Sequence, residues 1–264
     1  MRFTVLVSSS RGNVTYVEAG GLRLLIDIGL ACRTLEKQFK ALDLSPDGLD
    51  GILITHEHCD HIGGLTNFLK KHPTPVFANY NTAAVIEHQC RQAKQPVPEF
   101  ALFETGVPFM LGELTITPLP IPHDTAEPVG YVIHDGQHQL GYFTDLGYVP
   151  DPVLEAIHHC HALILESNYD PQLLRNSNRG FHLISRISGR AGHLSNEQAC
   201  EAVATAVGAP LQTLTLAHLS RECNQPDIAE AMMRGTLRHI GRTDVALAIA
   251  NPDTPLPFTT LESL

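Results

Sequence analysis

The sequence predicts an α+β protein in which two β-sheets pack face to face with helices outside, as one domain over residues 1–264. Three observations carry this. Short apolar and β-branched runs recur along most of the chain, several of them divided by tight-turn residues. Segments of helical period are distributed between these runs rather than gathered at one end. Two of the runs, 51–55 and 162–166, are apolar almost throughout, as strands buried on both faces are.

In order, Phe3–Val7, Val14–Glu18 and Leu22–Ile28 read as strands separated by Gly12-Asn13 and Gly20-Gly21. A helix follows, with Leu35, Phe39 and Leu42 at helical spacing. The buried run Gly51–Thr55 precedes a helical face of Ile62, Leu65 and Leu69. Pro75–Ala78 is a strand and 82–94 a helix. Leu114–Thr117, Gly130–His134 and Gln139–Phe143 are strands, the last two joined by an Asp135-Gly136 turn. After the buried run Ala162–Glu166, Ser195-Asn-Glu-Gln198 fits a capping box that opens a helix. Thr213–Ala217 is a strand, Pro226 opens a helix, and Asp244–Ala250 is the last strand before a Pro-rich tail.

With 264 residues and 43% hydrophobic composition, the chain can bury a large core without disulfides. The formal net charge of −10 argues against coating nucleic acid by bulk electrostatics, though not against a local basic patch or a metal. Six scattered cysteines with no C-x-x-C pair suggest neither a zinc ribbon nor a disulfide framework. No signal peptide or membrane span is legible, so the expected location is a reducing cytoplasm, with no membrane partner.

The chemistry concentrates in Thr55-His56-Glu57-His58-Cys59-Asp60-His61, directly after a buried strand. His56 and His58 are two apart in an extended segment, so both can face one side. Asp60 and His61 sit where the chain turns into a helix. Three imidazoles and a carboxylate this close suit divalent transition metals, a pair of ions rather than one.

The H-x-H-x-D-H string after an apolar strand resembles the metallo-β-lactamase superfamily, whose fold is a four-layer αββα sandwich. That resemblance implies further ligands at later strand ends: His123, Asp145 and His218. It implies a first ion on His56, His58 and His123 and a second on Asp60, His61 and His218, with Asp145 shared. A water or hydroxide between the ions would be the nucleophile. Zinc and manganese both suit this ligand set. The histidine at 58 disfavours a di-iron redox role.

Four further segments resemble the YycJ/WalJ family: Ser8–Asn13, Glu166–Asp170, Ala191–Asn196 and Ala217–Asn224. Members are described as metal-dependent nucleases with 5′-to-3′ exonuclease activity on DNA and a suggested link to mismatch repair. The resemblance implies DNA as substrate. Arg11 departs from the smaller residues usual in that Ser-rich turn.

Related phosphodiesterases place a histidine near position 193 against the substrate phosphate or leaving oxygen, which makes His193 a catalytic candidate. Asp60 is the second, as the residue that orients the attacking water. The acid-free stretch between Asp170 and Glu197 carries Arg175, Arg179, Arg186 and Arg190. It fits either a phosphate-binding face, with Arg186 and Arg190 nearest His193, or a solvated one. Ser10 and Asn13 fit either phosphate contacts or an ordinary turn. Asn168, counted with the substrate-side residues, and Asp170 fit either the orientation of ligands or a cap. The run His158-His159-Cys160-His161 is expected to be a plain loop, and the Cys59 side chain to point away from the metals. Two other readings stay open: a hydrolase for a thioester, lactone or cyclic phosphodiester, and a metal-stabilised binding protein without turnover.

Overall fold

A computed structural model describes residues 1–262. The chain runs through β1 (Arg2–Ser9), β2 (Gly12–Ala19), β3 (Leu22–Ile26), α1 (Cys32–Ala41), β4 (Gly51–Leu53), α2 (Cys59–Ile62), α3 (Leu65–Leu69), β5 (Val76–Asn79), α4 (Tyr80–Gln92) and β6 (Phe100–Phe103). It continues through β7 (Phe109–Leu111), β8 (Leu114–Pro120), β9 (Val129–His134), β10 (Gln139–Phe143), α5 (Asp151–His158), β11 (Ala162–Glu166), α6 (Pro171–Arg175) and α7 (Phe181–Ile187). The last elements are α8 (Asn196–Ala206), β12 (Thr213–Ala217), α9 (Pro226–His239), β13 (Ala246–Ile249) and β14 (Thr259–Thr260).

Each half of the chain builds one sheet, except that the C-terminal β14 joins the first beside β1. The first has the order β14-β1-β2-β3-β4-β5-β6 and the second β13-β12-β11-β10-β9-β8-β7. In both, hairpin-linked antiparallel strands lead into a parallel run, β3 to β6 in one and β10 to β13 in the other. Phe3, Val17, Leu24, Tyr131, Ile133 and Tyr142 fill the space between the sheets. Leu35, Phe39, Phe68 and Ile86 press the first half's helices onto Leu25 and Ile52. Val153, Val203 and Met233 do the same for the second half against Leu163 and Leu214. Each such side chain, fully buried, contributes about 1.5–3 kcal/mol. These are the four layers of an αββα sandwich.

The expected capping box closes as read: Ser195 accepts from the Gln198 N–H, and the Gln198 side chain accepts from the Ser195 N–H. Two expectations differ. The helical face at Ile62, Leu65 and Leu69 is split into α2 and α3, because a Cβ at Gly64 would stand 1.9 Å from the Leu30 carbonyl oxygen. That close approach takes glycine and interrupts the helix. The strand expected to reach Ile28 stops at Ile26, since Asp27 turns into the left-handed region at φ 60°. The Pro-rich tail is a strap along the first sheet: Leu256 N–H donates to the Val5 carbonyl at 3.0 Å, and Phe258 packs edge-on against Tyr16. No helix among the described residues is long and apolar enough to cross a membrane.

Candidate metal centre and active site

The parallel strands deliver the chemistry at their C-terminal ends, where open sheets of this kind place ligand sites. β4 hands over to Thr55 and His56, β10 to Asp145, β11 to Glu166 and β12 to His218. Asp145 and His218, like Asp27, lie in the left-handed region, at φ 61° and 55°. Non-glycine residues hold that conformation at a cost of about 1–3 kcal/mol each, so three at one site mark a shape imposed by the surrounding fold. The turn with Asp60 is pinned from below. Ile28 N–H donates to the His61 carbonyl at 2.7 Å, and a Cβ at Gly29 would lie 1.6 Å from the Asp60 carbonyl oxygen.

Side chains from both halves converge here. His56, His58 and His123 bring their ligand atoms within 4.8 Å of one another, and so do Asp60, His61 and His218. Asp145 belongs to a group with His56 and His61 and to another with Glu166, His193 and His218, which places it between the two triads. His123 Nε2 lies 3.3 Å from His58 Nδ1, and His61 Nε2 lies 3.2 Å from Asp145 and 3.5 Å from Asp60. His56 Nε2, His218 Nε2 and Asp145 Oδ2 are buried without a hydrogen-bond partner. Buried polar atoms left without a hydrogen bond in one small volume are costly unless a cation meets them. A nitrogen and oxygen donor set of this kind fits divalent transition metals, one on each triad.

The electrostatics of the two triads differ. Burial pushes His56 well below the ordinary histidine range and lowers His123 against the pull of Asp145, which leaves neutral lone pairs on these two. At the second, burial opposes the charged form, yet Asp145 and Asp27 hold His61 well above the ordinary range. Asp145, Asp60 and Glu166 carry His218 up to about 10 against the same opposition. Without a cation, these two imidazoliums balance the carboxylates of Asp60 and Asp145. Both carboxyls lie well below their usual range, burial being outweighed by their histidine neighbours.

Two carboxylates that the motifs do not single out hold the histidines in place. Asp27 accepts from the Thr55 N–H and hydroxyl, both at 2.8 Å, and lies 2.7 Å from His61 Nδ1. The same Thr55 hydroxyl is 3.0 Å from His56 Nδ1. Glu166 Oε1 is 2.8 Å from Nδ1 of both His193 and His218, while Oε2 accepts from the Leu146 and Leu194 N–H groups. Carboxylates behind ligating imidazoles fix the tautomer and ring orientation. An aspartate interrupting an apolar run was the available sequence signal for Asp27; Glu166 stood inside a quoted segment without a role.

The remaining candidates fall in different places. His193 stands beside the cluster, its ring 5.2 Å from those of His123 and His218. Asn13 is buried, with its amide nitrogen 3.3 Å from Asp60 and 3.1 Å from His61, and the Ser8 hydroxyl links Asn13 to the His218 N–H. Asn168 is buried and donates to the His218 carbonyl at 2.8 Å, and Asp170 caps α6. Ser10 is exposed on the β1–β2 turn, and no described hydrogen bond joins it to the ligands. Arg186 forks onto Asp124, next to His123, at 2.5 and 3.1 Å. Arg190 lies over the Tyr148 ring at 4.4 Å. Cys59 is exposed and belongs to none of the ligand groups. The His158–His161 run lies at the opposite end of β11, where His161 Nδ1 accepts from the Gln139 N–H.

A family model for the beta-lactamase superfamily domain matches residues 22–218. Exodeoxyribonuclease YycJ of Bacillus anthracis is 33% identical, over 97% of this chain and 97% of its own. The chain belongs to the YycJ/WalJ family of the β-lactamase superfamily. Exodeoxyribonuclease WalJ of Streptococcus pneumoniae serotype 2 is 30% identical over 98% and 97% of the two chains. Among solved structures, the metallo-β-lactamase fold protein YhfI of Bacillus subtilis superposes with a TM-score of 0.71, covering 97% of this chain and 99% of that one at 19% identity. YhfI speaks for the fold alone. YycJ and WalJ match this chain along almost all of their length, and the match runs across both ligand-bearing halves.

Proposed function

We propose that this YycJ/WalJ-family chain is a metal-dependent exodeoxyribonuclease working as a single cytoplasmic domain. It holds one divalent ion, zinc or manganese, on His56, His58 and His123, and a second on Asp60, His61 and His218, with Asp145 between them. Digestion from 5′ to 3′ is carried over from the family resemblance. The observation that carries the reading is the continuity between the ligand cluster and an arginine- and aromatic-bearing rim, in a chain that matches exodeoxyribonucleases along nearly their whole length. His123 Nδ1 lies 3.1 Å from the Gly192 carbonyl, just beyond α7, and Arg186 of α7 reaches Asp124. Phe181 opens the same helix and is 79% exposed, and Arg190 just after it pairs with no carboxylate among the described residues. Arginines for phosphates and an open ring for a base make a surface for a single strand.

When bound, the ions acidify a water and offset charge on the phosphodiester. The chain's own residues set the geometry. Glu166 holds His193 through Nδ1, leaving Nε2 to meet a phosphate oxygen or to protonate the 3′ oxygen as the P–O3′ bond breaks. Asn13 steadies the Asp60 carboxylate that aligns the attacking water.

The test is digestion of an end-labelled, 5′-phosphorylated duplex by the manganese- or zinc-loaded protein beside Asp60→Asn. Release of 5′ mononucleotides by the parent and not by the variant is expected. Absence of cleavage with two ions verified per chain would overturn the reading in favour of a small-molecule hydrolase, to be screened with thioesters and cyclic phosphodiesters.

A further inference from the structure

The first half of the chain carries another convergence of ligand-type side chains, and no member of it belongs to the catalytic cluster. Cys32 and Glu36 are one turn apart on α1 and share a face. His72 reaches them from the turn after α3, its ring tilted against Phe68 at 4.8 Å. Cys32 Sγ, Glu36 and His72 offer ligand atoms that all lie within 4.8 Å of one another. We propose that Cys32, Glu36 and His72 form a separate binding site for a soft divalent cation, zinc above all.

The spacing has the dimensions of a coordination polyhedron. Zinc takes sulfur at about 2.3 Å and nitrogen or oxygen at about 2.0 Å. At tetrahedral angles these lengths put sulfur roughly 3.5 Å from oxygen and nitrogen roughly 3.3 Å from oxygen. Cys32 Sγ stands 3.6 Å from Glu36 Oε1, and His72 Nε2 stands 3.1 Å from the same oxygen. The outer arrangement matches as well. Asp47 Oδ1 lies 2.6 Å from His72 Nδ1 and accepts its N–H, which turns Nε2 toward Glu36. In the metal-free protein Nε2–H donates to Glu36, and on binding that proton leaves for solvent and frees the Nε2 lone pair for the cation. The Asp47–His72 carboxylate–imidazole pair is the one that metal-binding histidines use.

Lys71 Nζ rests 3.0 Å from Glu36 Oε1 and is 55% exposed, so its ammonium can leave for water as a cation enters. The Cys32 thiol gives up its proton to solvent on binding. Thiolate and carboxylate then neutralise a dication, and a fourth position stays open to water. A sulfur ligand selects zinc over magnesium or manganese. A manganese-loaded catalytic centre and a zinc-loaded site on α1 can therefore coexist in one chain.

Cobalt substitution reads the two places separately, because the catalytic ligands are nitrogen and oxygen only. Metal-free protein titrated with Co²⁺ is expected to develop a near-ultraviolet thiolate-to-cobalt absorption of one equivalent, beside the visible bands of the nitrogen and oxygen sites. Cys32→Ser and the milder His72→Gln are each expected to remove that absorption and lower zinc content by one ion per chain, with the nitrogen and oxygen sites still loaded. Cys59→Ser is expected to keep it. The proposal is overturned if the parent takes up cobalt with no thiolate band, or if the band survives Cys32→Ser and disappears in Cys59→Ser. Circular dichroism of both Cys32→Ser and His72→Gln guards against a folding defect, since both side chains are largely buried.

Discussion

The Asp27 carboxylate lies 2.7 Å from Nδ1 of His61, on the side of the ring opposite the nitrogen that faces Asp145. Through the Thr55 hydroxyl the same carboxylate also reaches His56, a residue of the other triad. One buried group thus orients a histidine of each triad. Asp27→Asn is expected to weaken both ions about 10–100-fold, the usual loss when an outer partner of a ligand is changed. Thr55→Val is expected to weaken the His56 ion far more than the His61 ion. Isothermal titration of metal-free protein with each variant separates the two, and equal loss at both ions in Thr55→Val would contradict the relay.

Removing the catalytic candidate should be distinguishable from removing its support. His193→Gln is expected to lower the cleavage rate about 10²–10⁴-fold, the range for a positioned acid or phosphate contact, with two ions still bound. Glu166→Gln is expected to lower both the rate and the affinity of the second ion, because Glu166 also holds His218. Metal content measured beside turnover decides between them.

Chelation should cost stability as well as activity. A ligand present at a thousand times its dissociation constant stabilises the folded state by about 4 kcal/mol. For a chain of this size each kcal/mol shifts the melting temperature by roughly 2–4 °C. At that occupancy each catalytic ion is therefore expected to hold the melting temperature up by about 8–16 °C, and stripping both to lower it by roughly twice that. Unchanged melting after complete removal would show that the orphaned His56, His218 and Asp145 atoms are already satisfied by water.

Acid should act on the α1 site in a defined window. In the metal-free protein, hydrogen bonds from His72 and then Lys71 hold Glu36 down to about 2 from its ordinary 4.5. A depressed carboxyl contributes its stabilisation in full above 4.5 and loses it as pH falls through that range toward 2. His72→Ala is expected to move the Glu36 carboxyl resonance midpoint upward, toward 4.5. An unmoved midpoint would mean that Lys71 alone sets it.

The densest part of the site was legible because its ligands are neighbours in sequence: His56, His58, Asp60 and His61 follow one buried strand. His123, Asp145 and His218 needed the family resemblance, since each stands alone among ordinary residues. Asp27 was hidden by its setting, where a lone aspartate in an apolar run reads as a flaw in a strand rather than as the end of one. The strands Phe100–Phe103 and Phe109–Leu111 escaped because they are short, partly exposed sheet-edge strands that lack a clean alternation. The helices α6 and α7 escaped because Asn176, Ser177, Asn178 and Gly180 separate them and each spans at most two turns.

Apart from β14, the two sheets are built by successive halves of the chain, and each half brings candidate ligands the other lacks. His218 follows Ser8 by 210 residues, yet its backbone N–H donates to the Ser8 hydroxyl. A chain still leaving the ribosome has His56, His58, Asp60 and His61 well before His218. Until the second sheet docks, that early cluster has no Asp145 and no His218. Cutting power is therefore expected only from the finished molecule, in which both halves of the cluster have come together.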